Sequence, residues 1–347
     1  MLGRKGVSIK DLFESLGADG LALKIAELME AKGDAKPELR PDDFSIREIY
    51  EAVDQTAFPT LTGLLISKKI MDSYLAAPTV GDKLVTSFPS SLETDRVGGF
   101  GLKATMRKVK AGMPYAKDAD IDENWVTIAG DKYGTILDIT EEAIRYDQTG
   151  SILVEAGKIG LAAAAFKEKH ILYTIQDQTG YKAYYPKGVQ TALYSGGHAN
   201  VVTDALVDHT DVNAARILLA AMTDVNGDPI ISEAKNILVP IALEMTAASI
   251  YKSAVLIGGA NQQPNPYVGM FAPISSPYLD AVSSSHWYFG DFKREFLWKE
   301  IIPLQVLTRK STDNEDSWNR DITASYKVRY AGECGAQDYR YVIYSSA

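Results

Sequence analysis

The sequence predicts an α+β protein, on three observations. A proline-free run from Ser151 to Gln178 carries Ile152, Ala156, Ile159, Ala163, Phe166, His170 and Tyr173 at 4,3,4,3 spacing, which is one stripe of a long helix. Near the C-terminus, Ile322, Ala324, Tyr326, Val328 and Tyr330 alternate with Thr323, Ser325, Lys327 and Arg329, the period of a strand with one covered face. Between these lies a block, residues 181 to 280, where helical runs and short buried-strand runs are mixed.

In chain order, residues 8 to 32 read as a helix. Ser8 is its N-cap, Leu12, Leu16, Leu21, Ile25 and Leu28 its apolar positions, and Gly33 its stop. The stretch 34–43, with Pro37 and Pro41, reads as an extended linker. A second helical stretch covers roughly 45 to 75, with Ile46, Ile49, Tyr50 and Val53 at helical spacing and Pro59 breaking or kinking it. Residues 85 to 125 read as strand and loop punctuated by Pro89, Gly98, Gly99, Gly101, Gly112 and Pro114. So long an excursion without core pattern reads as a β-hairpin arm reaching away from the body.

Trp125 to Ile139 is strand-like, through Val126, Ile128, Tyr133 and Ile136. The run 151–178 would then span about 40 Å as a helix and serve as a structural spine. In the mixed block, a helix from Asp211 to Met222 ends at the turn Asn226-Gly227-Asp228-Pro229. Asn236–Val239 is a buried strand leading through Pro240 into a helix with Glu244, Ala247, Ala248 and Tyr251, and Gly258-Gly259-Ala260-Asn261 opens a polar loop. Phe296 to Thr308 is a strand, edged or bulged at Pro303. A turn over Gly332 to Gly335 is expected to lead into a closing strand, Tyr339 to Tyr344.

With 347 residues, 46% hydrophobic and 23% charged, the chain is ordinary globular material for one large or two modest domains. Thirty-six Lys and Arg against 45 Asp and Glu leave a net charge of −9, which argues against an opportunistic binder of nucleic acid or anionic membrane. The single cysteine, Cys334, excludes an intrachain disulfide framework and a Cys-based zinc site, and fits a reducing compartment. The start, Met1-Leu2-Gly3-Arg4-Lys5, is basic but is followed by an acidic amphipathic segment, so no signal peptide is expected. The longest apolar runs, 161–166 and 237–243, fall far short of the ~20 residues that span a bilayer. The expectation is a soluble protein made in the cytoplasm.

Motifs of chemistry are weak. Gly99-Phe100-Gly101-Leu102-Lys103-Ala104 fits G-x-G-x-x-A, but its flanks are neither the strand nor the helix a dinucleotide site needs, so it reads as a turn. Asp118, Asp120 and Asp122 imitate the first ligands of a calcium loop, yet Glu123 stands where glycine is required and Ala129 where the bidentate glutamate belongs. Asp224 to Asp228 is more simply a turn. His170, His198, His209 and His286 have no metal-ligand spacing to one another, and Ser195-Gly196-Gly197-His198 lacks a nucleophile elbow. No catalytic residue, cofactor or metal is expected.

One charge feature stands out. Lys103, Arg107, Lys108, Lys110 and Lys117 come with no acid between them, and Asp118, Asp120, Asp122 and Glu123 follow at once. With Phe100 and Tyr115, these residues are read as a subunit interface, the cations of one arm meeting carboxylates on a neighbouring copy. Tyrosine outnumbers phenylalanine by 19 to 10, as suits partly wet contact surfaces.

Several stretches resemble the major capsid proteins of tailed bacteriophages, with the Hong Kong 97-type fold. Lys110-Ala111-Gly112-Met113-Pro114-Tyr115 running to Trp125-Val126-Thr127-Ile128 is similar to the outer half of that family's extended loop returning to the body. Lys132-Tyr133-Gly134, then Ile139-Thr140-Glu141-Glu142-Ala143-Ile144 and Asp147, resembles the strand and short helix before its spine helix. Leu218 to Gly227, Ile237-Leu238-Val239-Pro240 and Ala247 resemble its axial domain. Phe292-Lys293-Arg294-Glu295-Phe296 and Arg329-Tyr330 to Gly335-Ala336 resemble its returning peripheral strands. The resemblance covers roughly residues 50 to 347 and rests on order and spacing.

The resemblance implies an N-terminal arm (1–60), an extended loop (85–125), a peripheral domain (61–84 with 126–180 and 288–347) and an axial domain (181–287). It implies a structural protein without catalysis, assembling with itself through pentamers and hexamers into the icosahedral head of a virion. Scaffold, portal and decoration proteins would be further partners, and packaged double-stranded DNA would be touched weakly and non-specifically. No lysine of the arm matches the reacting position of members that cross-link, so no cross-link is predicted. The alternatives are an encapsulin-like compartment around an enzyme cargo, and an α/β enzyme using the loops around 195–200 and 257–263.

Overall fold

The computed structural model describes residues 58–98, 108–115, 125–146, 151–182, 184–224, 227–255, 264–310 and 319–347. The expected helix 8–32, the linker 34–43 and the polar loop at 258–261 lie outside these residues. The chain packs as two compact units: Met1–Thr79, Lys132–Phe166 and Ile302–Ala331 form the first, and Val80–Asp131, Lys167–Ile301 and Gly332–Ala347 the second.

The described part of the first unit begins with helix α1, Phe58–Ala76. Pro59 falls in its first turn, where a missing N–H costs nothing, so it opens the helix instead of breaking it. The unit also holds most of β4 (Asp131–Thr140), α3 (Glu141–Tyr146), and α4 (Ser151–Ile175) as far as Phe166. Its remaining parts are β9 (Phe296–Lys310) from Ile302 and β10 (Ile322–Ala336) up to Ala331, side by side in the order β9-β10-β4. Ile322, Ala324, Tyr326 and Val328 of β10 are buried, as their alternation predicts. Thr62 and Tyr326 share a buried hydrogen bond at 2.7 Å.

The helix α4 is real but is rotated from the stripe read in the sequence. Ile152, Ala156 and His170 are buried, Ile159, Ala163 and Tyr173 only half so, and Phe166 is 36% exposed. The most covered ridge in this unit runs through Leu153, Ala156, Gly157, Gly160 and Ala164. Two glycines explain the rotation. A Cβ on Gly160 would overlap the carbonyl oxygen of Ile70, and one on Gly157 would lie 3.1 Å from Ser73 Oγ. The helices therefore meet backbone to backbone, a contact invisible to a count of large apolar side chains. Phe166 packs instead with Tyr133 at 4.8 Å between ring centroids and with Tyr330 at 6.2 Å.

The second unit contains α2 (Gly81–Leu84), β1 (Thr86–Pro89), β2 (Thr94–Gly98) and β3 (Trp125–Ala129). The single strand expected over 125–139 is thus two, β3 and β4, parted at Gly130. β1 runs parallel to the start of β9, Thr86 to Pro89 facing Leu297 to Glu300. Pro303 lies beyond that pairing.

The C-terminal half of this unit is a five-stranded sheet of order β5-β11-β8-β6-β7. Its strands are β5 (Val201–Val202), β6 (Asn236–Val239), β7 (Ala272–Ser275), β8 (Trp287–Gly290) and β11 (Val342–Ser345). Helices α5 (His209–Ala220) and α6 (Ile241–Lys252) supply Val212, Ala215, Leu219, Ala247 and Ile250 to a core with Ile237, Val239, Trp287, Phe289 and Ile343. On β8 the intervening Tyr288 stacks on Tyr344 at 5.1 Å, so the strand is covered on both faces. The short helix α7 (Pro277–Asp280) connects β7 to β8, and α8 (Phe292–Glu295) leads from β8 into β9.

The turn expected over Gly332 to Gly335 is absent, since β10 continues to Ala336. Both glycines are strand residues under close approach. A Cβ on Gly332 would sit 2.7 Å from Lys299 O and 2.8 Å from the Trp298 ring, and one on Gly335 2.7 Å from Ile128. Lack of room, not a need to turn, explains them.

Candidate assembly surface

The arm expected between 85 and 125 has a definite root. β2 and β3 pair antiparallel, Thr94 with Ala129 through Gly98 with Trp125. Val126 and Ile128 of β3 point into the core, while the Arg96 guanidinium lies over the Trp125 ring at 4.4 Å. The outer edge of β3 is held by the segment 185–187: Thr127 N donates to Tyr185 O, and Lys187 N to Trp125 O.

A fully buried lysine ties this ribbon to β9. Lys299 Nζ stands 3.0 Å from Asp95 Oδ2 and donates to Glu93 O at 3.0 Å and to Ile128 O at 3.2 Å. One ammonium therefore grips both strands of the root through two carbonyl hydrogen bonds and an ion pair, and a buried charge is tolerated when it is so paired. Hydrogen bonding from Ser90, then from Lys299, with the lysine's charge added, holds the Asp95 carboxyl below the usual range against its partial desolvation. Gln337 Nε2 donates to Gly98 O at 2.7 Å, closing the end of β2. None of these anchors was foreseen. The legible signal for Lys299 was a lone cation inside Phe296-Leu297-Trp298-Lys299-Glu300-Ile301-Ile302.

Residues 108–115, the expected tip of the arm, are also described. Met113 N donates to Lys110 O at 3.0 Å around Ala111 and Gly112, and Gly112 takes φ +80°, the left-handed conformation that only glycine adopts freely. Lys108 and Lys110 are exposed, as are Met113 at 62% and Tyr115 at 84%. Of the interface residues read from the sequence, Lys108, Lys110 and Tyr115 thus stand together on one exposed turn. Phe100, Lys103, Arg107, Lys117, Asp118, Asp120, Asp122 and Glu123 lie outside the described residues.

The loop that invited an enzyme reading is committed to structure. Ser195 Oγ accepts from His198 N at 3.3 Å as the cap of a single 3₁₀ turn, so it meets the backbone of His198 and not its imidazole. The ring bonds Leu193 O through Nδ1 at 2.9 Å and stacks on Tyr339 at 4.0 Å. His170 Nε2 meets Glu333 Oε1 at 2.5 Å. Burial, reinforced by the Asp338 charge, pushes the Glu295 carboxyl well up, and Oε2 accepts from Tyr341 N at 3.0 Å. Among the described residues, no group of three or more His, Cys, Asp or Glu could hold a metal ion, and no helix is long and apolar enough to cross a membrane.

A family model described as phage capsid protein matches residues 125–345, from the root of the arm through both compact units to the closing strand. The chain belongs to this phage capsid protein family. Its architecture is α+β, and as a member of the family it is a capsid protein. Solved structures similar to it include a virus-like particle from Pyrococcus furiosus (8% identity, 81% of this chain and 97% of that one, TM-score 0.47). The capsid of the cyanophage P-SCSP1u (15%, 78% and 88%, 0.48) and that of a native GTA particle (12%, 76% and 89%, 0.49) are similar to it as well. No curated protein matches the chain.

Proposed function

We propose that this capsid protein forms the icosahedral head of a tailed double-stranded DNA phage, through pentamers and hexamers of a single chain and without catalysis. In this reading the peripheral domain comprises 61–84, 126–180 and 288–347, the axial domain comprises 181–287, and residues 1–60 and 85–125 lap over neighbours. The observation that carries it is the arm: a root locked by Lys299 and a tip that displays Met113 and Tyr115 to solvent. Exposed apolar and aromatic groups beside cations suit a contact repeated by symmetry. Scaffold, portal and decoration proteins would complete the particle. The acidic net charge of −9 is compatible with an inner wall that releases its DNA.

The test is assembly. Full-length protein, expressed alone and then with its scaffold, is examined by light scattering behind size exclusion and by negative-stain microscopy. Closed shells or rings of five or six support the reading, and a persistent monomer with scaffold supplied overturns it. Shells that carry nucleic acid fit a phage head, and shells that carry one co-purifying protein would assign an encapsulin-like compartment instead. Deleting residues 100–118 leaves a folded protein that makes no stable shell; shells of normal stability from that deletion would remove the arm from the contact.

A further inference from the structure

The connection between β10 and β11 closes over a carboxyl group. Glu295, the last residue of α8, is fully buried and holds the segment 337–341 at two points. Its carbonyl oxygen accepts from Gln337 N at 2.7 Å, and its Oε2 accepts from Tyr341 N at 3.0 Å. Two further bonds pin the same segment, from Asn200 Nδ2 to Tyr339 O at 3.1 Å and from Asp291 N to Tyr341 O at 3.0 Å. The segment delivers the chain to Val342, where β11 enters the sheet between β5 and β8.

The second carboxyl oxygen, Glu295 Oε1, is buried and meets no hydrogen-bond partner among the described residues; the same is true of Asp338 Oδ2. The cations of this region are engaged elsewhere. Arg340 Nε lies 3.6 Å from Asp338 Oδ1, and the Arg294 guanidinium lies over the Tyr341 ring at 4.4 Å. His198 acts on Asp338, more weakly than Arg340 does. The remaining titratable groups around Glu295 are Tyr184, Tyr194 and Tyr341, all raised chiefly by burial and so neutral wherever a carboxyl titrates.

We propose that Glu295 is a proton-operated latch: protonated, it closes the 337–341 connection over the sheet, and ionised, it opens that connection to water. An ionised carboxylate here would keep the Tyr341 N–H, but Oε1 would have no donor and the Asp338 charge would repel it. Burial, reinforced by Asp338, accordingly pushes the Glu295 carboxyl well up, and the Tyr341 and Val342 amides pull it down by less. Burial raises Asp338 as well. A carboxyl raised on folding contributes stability that is fully present below the usual glutamate value of 4.5 and is lost as pH rises through the folded value. Rising pH thus loosens this connection, the opposite of Asp95 at the root of the arm. The device needs no second copy.

The test is hydrogen exchange of dilute full-length protein, followed by mass spectrometry from pH ~5 to ~9 and corrected for the intrinsic exchange rate. Protection of residues 337–344 is expected to fall by up to tenfold per pH unit, the slope of one proton, while that of β6 holds. Glu295→Gln keeps an acceptor for Tyr341 N and cannot ionise, so its protection should stay constant. It should also melt above wild type at pH ~8 and lose that advantage at pH ~4. Asp338→Asn removes the repelling charge and should make the fall smaller and end it at a lower pH. Constant protection in wild type, or the same fall in Glu295→Gln, overturns the proposal. Should Glu295→Gln not fold, the wild-type profile and its change in Asp338→Asn decide, and neither readout involves shell formation.

Discussion

The root and the tip of the arm are built on opposite principles. At the root, two paired strands, a segment from 185–187 and a buried ammonium tie the backbone down. At the tip, one hydrogen bond and one left-handed glycine shape a turn whose Met113 and Tyr115 touch water. The difference separates stability from association. Changes at the root should be felt in the folding free energy of the monomer, and changes at the tip should be felt only when copies meet.

The largest effect expected is from Lys299→Met, which leaves Asp95 without its cation and two carbonyls without their donor. Breaking a buried pair from one side costs about 3–5 kcal/mol, measurable by chemical denaturation. A loss below ~1 kcal/mol would mean that the ribbon, not the lysine, holds the root. Gly332→Val comes next. Its side chain must displace Lys299 O and the Trp298 ring, an overpacking worth about 1–3 kcal/mol, and unchanged stability would show that β9 can yield.

The pH dependence of the root is a smaller effect with a definite sign. The Asp95 carboxyl is depressed in the folded protein, so its contribution is fully present above the unfolded carboxylate value of about 3.9 and is lost as pH falls through the folded value. Acid unfolding curves of Asp95→Asn should therefore be flatter below pH ~4 than those of wild type, and superimposable curves would remove Asp95 from the anchor. The smallest effect on folding belongs to Met113→Ser/Tyr115→Ser. The double variant should melt within ~0.5 kcal/mol of wild type while lowering shell yield, and a large loss of monomer stability would show that the tip packs on its own body.

Much of the architecture was legible. The strand Asn236–Val239 and the alternation after Ile322 were readable because each backbone period exposes one face to one environment. Other elements were misread for a shared reason. Gly157, Gly160, Gly332 and Gly335 look like absences of information, yet each marks a place where another chain segment comes within reach of a Cβ. The candidate surface was half legible: a lone cation in an apolar run marked Lys299, but nothing local named its partners Glu93, Asp95 and Ile128, which are roughly 170 to 200 residues away.

By itself, the sequence determined the α+β class, the long helix, the terminal strands and the absence of any recognisable catalytic motif, because these depend on local period and turn chemistry. Only the tertiary structure decided which side of α4 is covered, that β10 runs through its glycines, and that one lysine closes the root of the arm. These outcomes turn on which distant segments approach one another, and the free energy of a close contact or a buried charge belongs to that meeting and not to either segment alone.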